Sequence, residues 1–177
     1  MSVLDLGGTA AAWRLAPLQP ARLVLLNVEE QGTVGGAESA IGDACDPPAD
    51  VTRQHFDLVF SNSVVEHVGG HWRHERFDAV ARALAEHYWV QTPYRYFPLE
   101  PHYVGPLFQF LPLGLRGRLI ASWPLGSLAT IKDPEACLAQ AQQTELLSRT
   151  EMRRYFPDAA LLDERFLGMA KSLIAVR

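Results

Sequence analysis

The first nine residues constrain this chain more than any other segment. Val3-Leu4-Asp5-Leu6 is a short apolar run with one carboxylate inside it, and Gly7-Gly8-Thr9 follows at once. Such a run reads as a buried strand entering a tight turn, and paired glycines there let backbone approach a bulky ligand where a side chain would clash. The spacing therefore predicts a nucleotide-type site at the very start of the sequence.

The rest of the chain supports an α/β architecture. Apolar runs bounded by turn residues predict strands at Val3–Leu6, Arg22–Val28, Phe56–Asn62 and His87–Thr92. Their near-continuous hydrophobicity implies burial on both faces, as in a parallel sheet covered by helices. A helix is expected over His71–Glu86, with Phe77, Val80, Ala81 and Leu84 on one stripe. Asp133-Pro134-Glu135 combines a cap, a first-turn proline and an acid, so a second helix should run to about Ser148. Thr150 is read as the cap of a third, which Pro157-Asp158 ends. Ala160–Leu167 and Lys171–Val176 around Gly168 then predict an antiparallel hairpin.

Composition narrows the functions. A length of 177 residues suits a single domain, and a formal charge of −4 supplies no global basic field, which disfavours nucleic acid as a partner. Cys45 and Cys137 fit neither a disulfide framework nor a zinc array, and no signal peptide is legible, so a cytoplasmic location is expected. Prolines and arginines break the apolar region Tyr103–Leu128, which excludes a spanning helix there. The stretch at about 93–128 reads as a lid or acceptor insertion, with homodimer or lipid contact open through 103–128.

In open α/β sheets ligands bind beyond the carboxyl ends of the strands. Those ends carry Gly7 and Gly8, Asn27 with Glu29, Gly42-Asp43-Ala44, and Ser61-Asn62-Ser63. These segments, together with Phe56-Asp57-Leu58-Val59-Phe60 and Val64-Val65-Glu66-His67-Val68, resemble class I S-adenosylmethionine-dependent methyltransferases, in particular the type 11 or UbiE-like small-molecule branch. The resemblance extends over nearly the whole chain. It implies a Rossmann-like, doubly wound, mostly parallel seven-stranded sheet with a C-terminal antiparallel hairpin, and S-adenosyl-L-methionine as cofactor.

On that resemblance Asp5, Gly7 and Gly8 lie at the methionine side, Asp43 and Ala44 at the adenine, and Asn62 and Ser63 beside the reactive end. The chain departs from the pattern at Thr9, where the family has a second glycine, and at Asn27, where it has an acid; Glu29 is the alternative ribose ligand. The resemblance also implies a helix before the first strand, for which this sequence leaves no room; either the chain is a fragment or has a misassigned start, or the Pro93–Leu128 stretch does the covering.

Candidate acceptor-side residues are His67, Tyr94 and His102, types that can orient an acceptor or take its proton. His67, His71 and His74 have helical spacing, but Gly69-Gly70 interrupts it, and no metal site is expected in this chain. The expected reaction is methyl transfer to a small-molecule acceptor. The alternatives are a degenerate, non-catalytic binding module and, less well matched to Gly7-Gly8-Thr9, a nicotinamide-dependent oxidoreductase.

Overall fold

The computed structural model describes residues 1–32, 35–122 and 133–177. Its sheet has seven strands in the spatial order β3-β2-β1-β4-β5-β9-β8. These are β1 (Ser2–Leu6), β2 (Arg22–Asn27), β3 (Glu38–Ile41), β4 (Phe56–Asn62), β5 (Ala85–Pro93), β8 (Ala160–Phe166) and β9 (Met169–Val176). The first five are mutually parallel, whereas β9 runs antiparallel to both β5 and β8. The expected Rossmann-like sheet with its closing hairpin is therefore present.

Period-two patterning assigns the faces. Leu4, Leu6, Val24, Leu26 and Val59 point into the larger core, where Phe77, Val80, Ala81 and Leu84 of α3 (His71–Leu84) pack over them. Val3, Leu23 and Leu25 point the other way, toward Ala10 and Trp13 of α1 (Ala10–Arg14), and the single turn α2 (Ala49–Thr52) precedes β4. Between β1 and β4 the strand order reverses, which opens a crevice at their carboxyl ends.

Several boundaries differ from the sequence expectation. The helix ends at Leu84, not Glu86, because Ala85 is already extended and pairs with Phe56. The helix α5 (Pro134–Gln142) is capped by Asp133 as expected but stops well before Ser148. Ser148, not Thr150, caps α6 (Arg149–Tyr155): its hydroxyl accepts from the Glu151 amide, and the Glu151 carboxylate accepts from the Ser148 amide. Strand β3 escaped detection because Glu38-Ser39-Ala40-Ile41 is short and mostly exposed, and only its pairing with β2 defines it.

The described part of the insertion contains a small antiparallel pair, β6 (Leu99–Glu100) with β7 (Gly105–Pro106), and the helix α4 (Leu113–Ser122). Tyr103, Phe108 and Ile120 join Cys137 and Ala141 of α5 in a separate apolar cluster, while Phe110 and Leu115 remain exposed. Trp123 and the expected boundary near 128 lie outside the described residues. Cys45 and Cys137 are buried apart and are not bridged. Among the described residues no helix is long and apolar enough to cross a membrane.

Leu26 is fully buried and Leu18 is 81% exposed. Leu26→Ala should cost about 2–5 kcal/mol and Leu18→Ala under about 0.5 kcal/mol, measured by urea denaturation.

Candidate functional site

The crevice is built around the turn after β1. Gly7 has φ +81°, and a Cβ there would sit 2.4 Å from Cγ2 of Val64. A Cβ on Gly8 would lie 2.0 Å from Oδ2 of Asp5. The first glycine is thus required by its left-handed backbone and by Val64, the second by the carboxylate beneath it. Thr9, at the family's second-glycine position, caps α1, its hydroxyl accepting from the Ala12 amide at 3.3 Å.

Asp5 is buried. Its Oδ2 accepts from Trp13 Nε1 at 2.7 Å, whereas Oδ1 has no hydrogen-bond partner. Burial drives its pKa up to about 7, with the Trp13 bond opposing the rise. Asn27 accounts for its own departure from the family pattern. Its Nδ2 donates to the carbonyls of Gly7 (3.2 Å) and Gly8 (3.0 Å), and its Oδ1 accepts from the Glu29 amide at 3.3 Å. A carboxylate has no donor to offer those two carbonyls. The Glu29 side chain is exposed beyond the crevice lining.

Asp43 is held by Arg73, whose Nη2 donates to both carboxylate oxygens at 2.8 and 2.6 Å, and by the Cys45 amide at 2.8 Å. Burial alone would raise its pKa; the Arg73 and Cys45 bonds outweigh that and hold it below the usual carboxylate value. Arg73 carried no signal in the sequence, since its partner lies 30 residues away.

Three cavities run along the strand ends. One of about 380 Å³ is lined by Asp5, Gly7, Gly8, Thr9, Trp13, Phe60 and Asn62, among others. The next, about 350 Å³, is lined by Gly7, Asn27, Gly42, Asp43, Ala44, His67 and Arg73, among others. The third, about 300 Å³, includes Asn62, Gln91, Tyr94, Phe97 and Lys171. Ser63 borders all three, and its φ of +57° is a left-handed conformation seldom taken by residues other than glycine. Its amide donates to the Gln91 carbonyl at 2.9 Å, which fastens the bend to β5. Every residue expected at the cofactor thus lines this chain of cavities except Glu29.

The expected acceptor-side residues separate. Tyr94 lies at the third cavity, edge to face with Tyr96 and under the guanidinium of Arg149. His67 and His102 instead meet, with 3.1 Å between their Nε2 atoms. His67 Nδ1 is 3.2 Å from the Gln143 carbonyl, and His102 Nδ1 is 2.6 Å from Glu100 Oε1. Burial and the His102 charge lower the pKa of His67; for His102 burial is outweighed by Glu100, and its pKa rises. Glu66, fully buried beside them, accepts from the Thr92 hydroxyl at 2.9 Å through Oε2, and burial lifts its pKa to about 7. Glu66 and Glu100 were not singled out from sequence, although each stands within two positions of a chosen histidine. His71 and His74 are turned toward Tyr155, away from this group.

No protein-family model and no curated protein matches the chain. Solved structures do. The DhpI–SAH complex matches with TM-score 0.58 and 13% identity over 99% of this chain and 74% of that one. LepI in complex with SAM matches with TM-score 0.55 and 13% identity, covering 99% and 42%. Human N-acetylserotonin methyltransferase in complex with SAM matches with TM-score 0.54 and 15% identity, covering 98% and 46%. The chain thus spans under half of the latter two proteins. What it shares with all three is the fold, that of the class I methyltransferases.

An acid whose pKa is raised by folding binds its proton more tightly folded than unfolded. Asp5 therefore contributes most stability below pH 3.8, and that contribution is lost as pH rises to about 7. Asp5→Asn should flatten the stability profile across this window and leave the protein a few kcal/mol more stable at pH 8, since each tenfold change in proton affinity is worth about 1.4 kcal/mol. A smaller slope from Glu66 should persist. Asn27→Asp, although it restores the family's usual residue, should cost about 1–3 kcal/mol in denaturant unfolding by stranding the Gly7 and Gly8 carbonyls.

Proposed function

We propose that this chain is an S-adenosylmethionine-dependent methyltransferase acting on a small-molecule acceptor, of the UbiE-like branch. The observation that carries the reading is the run of cavities over the β1/β4 reversal, lined by the glycine turn, Asn27, Asp43 and Ser63. The cofactors in the DhpI, LepI and N-acetylserotonin methyltransferase complexes agree with it.

The residues present fit such a ligand. Asp5 keeps a buried carboxylate oxygen with no partner at the floor of the turn, where a ligand ammonium would relieve it electrostatically. Gly7 and Gly8 keep the turn low. Asp43 and Ala44 hold the adenine side, where Asp43, already oriented by Arg73, retains lone pairs for an amino group. The ribose falls beside Asn27, which lines the second cavity with its amide engaged by the turn, or Glu29 two residues on. Asn62 and Ser63 stand where the first and third cavities meet, at the reactive end.

The bound cofactor supplies an activated methyl group on a sulfonium. The protein's part is to align donor and acceptor and exclude water. Tyr94 walls the acceptor side from the third cavity. His67 and His102, paired through their Nε2 atoms at the border of the second cavity, are the titratable groups proposed to receive the proton of an acceptor that carries one.

Titration calorimetry should give one S-adenosylmethionine per chain. Ala12→Phe, at an exposed helix position that lines the first cavity, should weaken binding at least about tenfold, near 1.4 kcal/mol, without changing the fold. Release of S-adenosylhomocysteine across a panel of hydroxyl- and carboxyl-bearing small molecules then identifies the acceptor class. A folded chain with no cofactor affinity overturns the reading in favour of the non-catalytic module.

A further inference from the structure

We infer that Glu66, His67 and His102 form a binding site for a first-row divalent cation of the zinc class, through one carboxylate oxygen and two imidazole Nε2 atoms. One potential ligand atom from each residue lies within 4.8 Å of the others. Their placement beside the crevice, and the order in which each is held, carry the argument.

The tautomers come first. A backbone carbonyl can only accept, so the contact of His67 Nδ1 with the Gln143 carbonyl puts the ring proton on Nδ1 and a lone pair on Nε2. The Glu100 carboxylate does the same for His102, at 2.6 Å. Two neutral rings fixed in this way point lone pairs at each other across 3.1 Å. That arrangement requires a positive charge between them, either a shared proton or a metal ion.

A proton shared across 3.1 Å is an ordinary hydrogen bond, and it is the third, buried donor beside the pair that points to the ion. Ligands at about 2.0–2.1 Å from a tetrahedral cation stand roughly 3.3–3.4 Å apart, close to the observed separation of the nitrogens. Glu66 supplies the third donor. Its Oε2 is fixed by the Thr92 hydroxyl, while Oε1 is buried with no hydrogen-bond partner. Movement of this carboxylate from within 4.8 Å of the imidazole nitrogens to ligand distance closes the triad. Glu100 and the Gln143 carbonyl are then the outer partners that orient metal-bound imidazoles.

Two nitrogens, one carboxylate and no thiolate suit zinc, cobalt or manganese better than magnesium or calcium. Of the three ligands, His67 also lines the cavity shared with Gly7 and Asp43, so the cation would sit at the border of the crevice. On binding, the cation displaces the proton that the pair otherwise shares. Metal binding here would take the His67 Nε2 lone pair that the proposed function gives to a proton, but it does not depend on cofactor binding, and the metal is tested alone.

The test uses the full chain, stripped with a chelator and titrated with Zn²⁺ by calorimetry and with Co²⁺ by visible absorption. One ion per chain, with the intense bands of tetrahedral cobalt, is expected. His102→Gln should weaken binding about 100-fold and Glu66→Gln at least tenfold, while His71→Gln, outside the cluster, should leave it unchanged. Circular dichroism checks the fold of each variant, and if His102→Gln does not fold, Glu66→Gln decides. Absence of stoichiometric uptake, as for a pair that merely shares a proton, overturns the inference. So does uptake that is equal in the wild type and the folded cluster variants. S-adenosylmethionine affinity measured on the same samples keeps the two readings apart: metal binding can fail with cofactor binding intact, or the reverse.

Discussion

The Asn27 amide, donating to the carbonyls of Gly7 and Gly8, is the contact on which the crevice depends. It ties the end of β2 to the turn that leaves β1, with the Gly7 amide donating back to the Leu26 carbonyl at 2.7 Å. Val64 closes the turn from the β4 side, and Asp5 fills the space beneath Gly8. The bend can therefore neither rise into the crevice nor collapse into the sheet. An open crevice at the strand-order reversal follows from that restraint.

A second theme is the cost of buried charge. Asp5 and Glu66 each sit almost wholly out of water, each keeps one oxygen without a hydrogen bond, and each has its pKa raised to about 7. Solvent-poor carboxylates of this kind destabilise a fold unless something positive reaches them. Both lie next to cavities or clusters that can receive a ligand, one under the glycine turn and the other against two imidazoles. Asp43 is the contrast, since Arg73 already neutralises it within the chain.

Legibility from sequence followed the range of the interactions involved. The strands at Val3, Arg22 and Phe56, the stripe of α3 and the C-terminal hairpin were readable because burial imprints a local period on neighbouring residues. Boundaries were less so. Ser148 rather than Thr150 caps α6 because its partner Glu151 satisfies both halves of the capping box, and β3 is a strand only because β2 pairs with it. Of the site, the glycine turn and the Ser63 bend stood at strand ends where residue type alone singled them out. The roles of Arg73, Glu66 and Glu100 depend on partners 30, 26 and 2 positions away, and only the last is a spacing that inspection of the sequence could have caught.

The sequence by itself determined four of the five parallel strands, the closing hairpin and the polar residues at the strand ends, because these follow from local runs of apolar residues and from turn chemistry. Tertiary structure alone decided which polar groups meet. It engaged the Asn27 amide in the turn, gave Asp43 to Arg73, and brought His102, at the β6–β7 end of the insertion, to His67 after β4. Hydrogen bonds and charges act over a few ångströms in space, and a chain folded around a common core brings together residues whose separation along the sequence carries no trace of the encounter.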